Sequence, residues 1–367
     1  MKFDNNTNFN VVGSGVASWV AVFYLLYNNK KVTMYRDPNV IVRRIGESTV
    51  PKINEISQML GMTDDEFLTR VNGHFKYGTM FQGWNGDSWL YYFANEANNV
   101  QSVQRETFAY HIDAPGFTEL MREHCLEKYK DTFTLVDEPF DLKNYKEDEF
   151  YIDSTGQQGI LSTHVGIEHV ETDLLLNDHA WIGNGPAGYK PYTNSKAMTA
   201  GWLWNISLKT RMSYGYVFSS KYLSIEDAKQ EFIDNVGFEP EKLIPFKSRR
   251  PKQQWIGNVM ALGMSAGFIE PLNATANFAA QATIINFLKL MDKPEVFNRL
   301  MSKTYDGIHK WIRALYGLNS IQGNPYWDHY KSHREQAIKD IEFYSVKGHQ
   351  GLMSKHSWSL LKTNMIK

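Results

Sequence analysis

Gly13-Ser14-Gly15-Val16-Ala17-Ser18 is the first stretch whose residue types could do chemistry. It follows an apolar run and opens another. The first glycine permits a tight turn, and the second lets a pyrophosphate approach the backbone at a helix N-terminus, where free N–H groups and the dipole favour anions. Ser18 is small enough for close helix–strand packing. An acid usually follows the next strand and accepts the adenosine ribose hydroxyls. Here Arg36 comes first, and Asp37 can take that role one residue late. Arg36 is then either a solvated surface charge or a partner for a 2′-phosphate. A second candidate is Lys76. Phe75, Tyr77, Thr79 and Phe81 alternate onto one strand face, which leaves Lys76 on the other with His74, Gly78 and Met80. An amine on a solvated face is an ordinary cation, whereas one in an enclosed cavity is desolvated and easier to deprotonate. Trp202 and Trp204 share a strand face by the same alternation, as core or as a wall. His111 and Asp113 read as an acid–base pair or as packing and turn groups.

The elements that must position these residues are legible in outline. Residues 9–12 read as a buried strand, Val16 to Tyr27 as a helix and Lys31 to Tyr35 as the next strand, a β-α-β opening. Residues 54–71 read as a helix and His74 to Gln82 as one strand. A helix follows over 115–129 and a short strand over Phe150 to Asp153. Strand patterns dominate from Gly201 to Tyr222, and 276–291 and 294–316 are helical. The polar, basic tail after Lys331 has no clear pattern. Nucleotide-type pieces thus interleave with other sheet, and the domains are discontinuous.

Bulk properties narrow the class. At 367 residues the chain has length for about two domains of roughly 150 residues each. A net charge of −1 argues against nucleic acid as a partner. The longest apolar run, Val16 to Tyr27, is too short to span a bilayer and lacks the flanks of a signal peptide. A single cysteine, Cys125, excludes an internal disulfide and a cysteine-rich zinc site, which suits the cytoplasm. No metal site or serine-hydrolase motif is present. Abundant Asn, Lys, Tyr and Ile point to an AT-rich coding genome, which a viral or marine source would fit.

Several segments resemble the flavin-dependent tryptophan-halogenase family, in that family's order. They are VVGSGVASW, IGESTVP, HFKYGTMFQGW, AGWLWNISL and GFIEPLNATANF, the last at residues 267–278. The likeness covers about residues 9–330 and implies an α/β (α+β) fold: a Rossmann-like FAD-binding module over 1–130, 150–175 and 250–292, and a substrate-binding sheet and helical region over 176–249 and 293–367. It implies FAD supplied as FADH2, a halide ion and O2. The family makes hypohalous acid, which passes through an internal tunnel to a lysine and is directed onto an electron-rich aromatic compound. By resemblance that lysine is Lys76. Flavin contacts fall on Gly13, Gly15, Val16, Ala17, Asp37, Glu47, Ser48, Thr49, Met264 and Asn277, and the halide on Thr275 and Ala276. Trp202, Trp204 and Ile206 wall the flavin from the substrate and should lie between the loop near Ser48 and Lys76.

The departures carry information. Val16 replaces the family's Thr, Ser207 its Pro, and Ala276 its Gly. Where the family has Glu-Ser after Pro-Leu, this chain has Asn273-Ala274, so the carboxylate that assists the lysine becomes an uncharged amide. The chain also lacks much of the family's hairpin between about Phe133 and Phe150 and part of its C-terminal helical region, which leaves a phenol, an indole or a larger scaffold open as substrate. The resemblance implies a separate flavin reductase as partner and leaves homo-oligomerisation open. The competing readings are a flavin-dependent aromatic monooxygenase and a degenerate, non-catalytic flavin binder.

Overall fold

The computed structural model describes residues 3–4, 6–42, 44–93, 107–172, 175–347 and 353–366. Among these, a six-stranded sheet is centred on Asn8–Val12, which pairs in parallel with Lys31–Tyr35 on one side and Phe150–Asp153 on the other. Phe133–Val136 and Val259–Ala261 extend it in parallel, and Trp255–Ile256 closes one edge antiparallel. Phe150–Asp153 and Val259–Ala261 are buried at every residue, as strands covered on both faces are, whereas Lys31–Tyr35 alternates buried with more exposed residues. The helix Val16–Tyr27 is buried over most of its circumference, between the helices Ala114–Lys128 and Thr275–Lys289. That placement explains why its sequence is apolar all round.

A seven-stranded sheet runs Lys242–Pro245, His179–Gly185, Met212–Phe218, Gly201–Ser207, Thr193–Met198, Gly78–Gln82, Trp89–Tyr92. It is antiparallel except where Thr193–Met198 meets Gly78–Gln82. A small third sheet consists of Gly46–Ser48, Ala109–Asp113 and His74–Lys76, with Ala109–Asp113 in the middle. The chain passes back and forth between the parallel sheet and the antiparallel one, as an interleaved α/β architecture requires. The helix Pro294–Gly317 buries Phe297, Met301, Tyr305, Ile308, Trp311, Ile312 and Leu315, the three-and-four spacing of one helical face.

Two expectations are corrected, and the tail left open by the sequence is assigned. Residues 54–71 are not one helix but Glu55–Met59 and Asp64–Arg70, after a turn at Pro51–Asn54. Gly61 takes a left-handed φ of +74°, and a reciprocal capping box between Thr63 and Glu66 restarts the helix. His74 to Gln82 is not one strand but two, in different sheets, with the break at Tyr77. The Tyr77 N–H donates to Pro191 O at 2.7 Å and its carbonyl accepts from Phe93 N–H at 2.9 Å, so its backbone groups are satisfied outside either ladder. Periodicity shows through such a break, because Phe75 and Tyr77 still stack at 6.3 Å. The tail is ordered as helices Arg334–Lys347 and Lys355–Met365. A few apolar residues suffice to dock it: Trp358 meets Trp311 edge-on at 5.0 Å, and Ala337, Ile341, Leu361 and Met365 are buried.

Gly215 shows how tightly the antiparallel sheet is packed on its inner side. A Cβ there would stand 2.3 Å from the Trp204 indole. Gly215→Ala is expected to destabilise the protein by about 1–3 kcal/mol through overpacking. Urea unfolding checks this, and an unchanged midpoint would contradict the packing of Trp204 against that strand.

Candidate active site

The glycine-rich turn is built by exclusion. At Gly13, φ is +146° and an added Cβ would lie 2.3 Å from Ser154 O, so only glycine fits. At Gly15 a Cβ would meet nothing within 4 Å, and the open space lies at the start of the helix Val16–Tyr27. That helix has no side-chain cap and no acid in its first turn, leaving N–H groups for an anion. Asp37 closes the same end: its carbonyl accepts from Ser14 Oγ at 3.3 Å, and its side chain accepts from Asn39 N–H at 2.8 Å. Arg36 pairs with Asp137 at 2.6 Å, the surface-charge alternative. The turn carrying Met264 packs onto the same helix start, since a Cβ on Gly263 would be 2.8 Å from Ala17 Cβ. These features fit a dinucleotide such as FAD.

The Gly46–Ser48 strand is clamped from several sides. Asn277 Nδ2 donates to Glu47 Oε2 at 3.0 Å and to Ser48 O at 3.1 Å, which ties the helix Thr275–Lys289 to this loop. Burial holds the Glu47 carboxyl above the usual carboxylate range. Ser48 Oγ lies 2.9 Å from Thr193 Oγ1, which lies 2.8 Å from His111 Nε2. Gly46 N–H donates to Ser213 Oγ at 3.1 Å. A Cβ on Gly46 would be 2.8 Å from Ile206 Cγ2, so Ile206 presses directly on this strand. His111 and Asp113 are not an acid–base pair. Asp113 takes Arg211 in a buried bidentate pair at 2.6 and 3.2 Å, and burial, then Lys76 and His74, push the His111 imidazole well below its ordinary range.

Lys76 ends the strand next to this clamp and is 1% exposed. Among the described residues its amine makes one hydrogen bond, donated to Thr49 O at 2.9 Å, and it lies 5.0 Å from the Phe93 ring centroid. No described carboxylate pairs with it. Desolvation therefore acts unopposed and lowers its pKa from 10.5 to about 7. The amine reaches the Gly46–Thr49 loop directly, with no tryptophan between them at Thr49 O.

The segment leading to Thr275 is conformationally unusual. Asn273 and Ala274 both adopt left-handed φ, +60° and +59°. Asparagine tolerates that region; alanine is strained there. Both side-chain polar atoms of Asn273 are buried with no partner among the described residues. The helix Thr275–Lys289 begins immediately after, with no side-chain cap, and Thr275 Oγ1 donates to Glu270 O at 3.0 Å. An uncapped helix start beside an unsatisfied buried amide fits a small anion such as halide. Trp202, Trp204 and Ile206 share the inward face of Gly201–Ser207, all buried in the main core, while Leu203 belongs to a separate cluster on the other face. Sequence reasoning gave no role to Glu270, whose fully buried carboxyl accepts from Trp202 Nε1 at 2.8 Å. The signal was available: an acid set between Ile269 and Pro271 in an otherwise apolar run needs a reason to be buried.

Comparison with known proteins follows the same lines. A family model described as tryptophan halogenase matches residues 8–131 and 96–361. Tryptophan 7-halogenase KtzQ of Kutzneria sp. (strain 744) is 24% identical, over 91% of this chain and 78% of its own length. Tryptophan 7-halogenase RebH of Lentzea aerocolonigenes is 23% identical, over 90% and 79%. The crystal structure of a tryptophan halogenase from Shewanella frigidimarina NCIMB 400 superposes with a TM-score of 0.85 at 20% identity, covering 98% of this chain and 89% of that one. BrvH, a flavin-dependent halogenase from Brevundimonas sp. BAL3, gives 0.85 at 21%, covering 99% and 90%. At these identities the superpositions show a shared fold. Among the described residues no helix is long and apolar enough to cross a membrane.

The burial of Lys76 has a consequence for stability. Its folded pKa lies below its unfolded one, so folding at neutral pH must expel a proton or bury a charge. The penalty is full below pH about 7 and fades as pH rises toward 10.5, at about 1.4 kcal/mol per pH unit. Lys76→Met is therefore expected to be more stable than wild type at neutral pH, by about 1–3 kcal/mol once imperfect packing is allowed for. Urea unfolding from pH 7 upward should show the gap narrowing. A variant less stable than wild type at pH 7 would contradict the unpaired burial.

Proposed function

This chain belongs to the tryptophan halogenase family, a family of flavin-dependent oxidoreductases, and from that premise we propose that it uses FADH2, O2 and halide to make hypohalous acid, which Lys76 directs onto an electron-rich aromatic substrate of indole or phenol type. The observation that carries this reading is the Lys76 amine: fully buried, unpaired by any described carboxylate, and hydrogen-bonded to the Gly46–Thr49 loop. An amine with a pKa of about 7 is neutral in a large share of molecules at physiological pH, and then has a lone pair for an electrophilic halogen or a hypohalous proton.

In this reading the bound flavin supplies the oxidation of halide, and this chain's residues do the rest. Gly13, Gly15, Val16 and Ala17 take the pyrophosphate at the helix start, and Asp37 the ribose. Glu47, Ser48, Thr49, Met264 and Asn277 hold the flavin ring. Thr275 and Ala276 offer N–H groups to the halide. Trp202, Trp204 and Ile206 keep the substrate off the flavin, so that oxidation passes through halide. Asn273 offers a neutral amide where an assisting carboxylate would otherwise act, so Lys76 is not held in its ammonium form by a neighbour there. The substrate is a small aromatic compound, and a separate reductase delivers the reduced flavin.

Lys76→Ala is expected to lower halogenated product by at least about 100-fold while FAD affinity changes little, because the lysine touches the flavin loop only through Thr49 O. The assay is mass spectrometry of an indole or phenol incubated with FADH2, O2 and bromide, with FAD affinity measured alongside by fluorescence. Retained regioselective halogenation in the variant would overturn the role of Lys76. A hydroxylated product that forms without halide would favour the monooxygenase reading instead.

A further inference from the structure

Glu270 carries an arrangement that the proposed reaction does not use. Its carboxyl is fully buried. Three donors converge on Oε1: Trp202 Nε1 at 2.8 Å, Tyr316 OH at 3.0 Å and Asn177 Nδ2 at 3.3 Å. Oε2 is buried with no partner among the described residues. All three donors are neutral. The next groups outward are also neutral: Tyr326 OH donates to Asn177 Oδ1 at 2.9 Å, and Tyr330 OH accepts from Leu176 N–H at 3.0 Å. Burial raises all three phenols, Tyr316, Tyr326 and Tyr330, so they stay protonated wherever the protein is folded.

We propose that Glu270 is a positioning residue that joins the tryptophan wall to the entry of the helix Thr275–Lys289, and that it does so as a neutral carboxyl group. The inference rests on the reading of Thr275 and Ala276 as the halide site. The joint is physical. The side chain holds the Trp202 indole, and the backbone carbonyl of the same residue accepts from Thr275 Oγ1 at 3.0 Å. The contacts alone suit either form: a protonated Oε2 is a buried hydroxyl with no acceptor, and an ionised Oε2 is a buried oxygen with no donor. Burial decides between them, because charge on an undonated buried oxygen costs more than an unpaired neutral hydroxyl. Burial pushes this carboxyl up to about 7, so it loses its proton near neutrality. The charge that appears then sits in the loop that feeds the helix N-terminus and opposes an anion bound there. Halide affinity therefore falls as pH rises through neutrality, and by reciprocity a bound halide keeps Glu270 protonated.

The test uses FAD-loaded protein, bromide as the probe, and two readouts. The first is the Trp202 indole N–H resonance, identified by its loss in Trp202→Phe. In wild type it should titrate near neutral pH, and in Glu270→Gln it should not. The second is bromide affinity by calorimetry between about pH 6 and about pH 8.5. Lys76 titrates in the same range, so the difference between wild type and Glu270→Gln is what counts. The wild type should lose about tenfold more affinity across the range than the variant. Tyr316→Phe removes one donor to the carboxylate and should move the Trp202 midpoint to higher pH, which decides the matter even if Glu270→Gln does not fold. A Trp202 titration that persists in Glu270→Gln, or a Tyr316→Phe midpoint that stays or falls, would overturn the proposal. A normal Trp202 titration with no bromide binding at any pH would overturn the halide reading and the coupling to it, and not the hold of Glu270 on the wall.

Discussion

The hydrogen bond from Lys76 Nζ to Thr49 O, 2.9 Å long and sealed from solvent, is the contact on which the rest of this site depends. A buried amine with one neutral acceptor and no described counterion is an expensive feature, since nothing offsets the loss of hydration of its charged form. It persists only because the surrounding elements leave it no alternative. In the small sheet, Ala109–Asp113 lies between the lysine strand and Gly46–Ser48, and the Lys76 side chain reaches past it to Thr49 O. The Asp113–Arg211 pair and the His111–Thr193–Ser48 chain then lock that sheet against the seven-stranded one.

The second constraint is the run from Glu270 to Asn277. It begins with a buried carboxyl, passes through two left-handed residues, and ends in an uncapped helix whose Asn277 grips the Gly46–Ser48 strand. Left-handed Ala274 and the unsatisfied amide of Asn273 would be poor choices for a purely structural turn. They make sense where the turn must point backbone N–H groups and a side-chain amide at something outside the protein. The clamp through Asn277 ties this turn to the strand that leads into Thr49.

Much of this was legible in the residues. Gly13 is legible because its backbone conformation and the nearby Ser154 carbonyl exclude a Cβ, a local requirement that sequence records directly, while Gly15 leaves open space at the helix start. The inward face of Trp202, Trp204 and Ile206 follows from strand alternation alone. What stayed hidden depends on partners distant in sequence. Alternation from His74 to Gln82 ran unbroken across Tyr77, yet Pro191 and Phe93 divert the backbone there into a second sheet. Asp113 looked like half of an acid–base pair until Arg211, 98 residues away, claimed it. Glu270 was visible as an acid in an apolar run, but its partners Trp202, Asn177 and Tyr316 come together only in the folded chain. The tail after Lys331 offered too few apolar residues for a pattern, and docks through Trp358 against Trp311.

The Lys76 amine is buried, has no counterion among the described residues and is therefore readily neutral. The most direct measurement is the titration of Lys76 itself, followed through the Cε and Nζ resonances of lysine-labelled protein, with Lys76→Met supplying the assignment. The account predicts a midpoint near pH 7, far below the 10.5 of an ordinary lysine. A midpoint within about one unit of the ordinary value would show that water or a counter-charge reaches the amine, and would contradict the account.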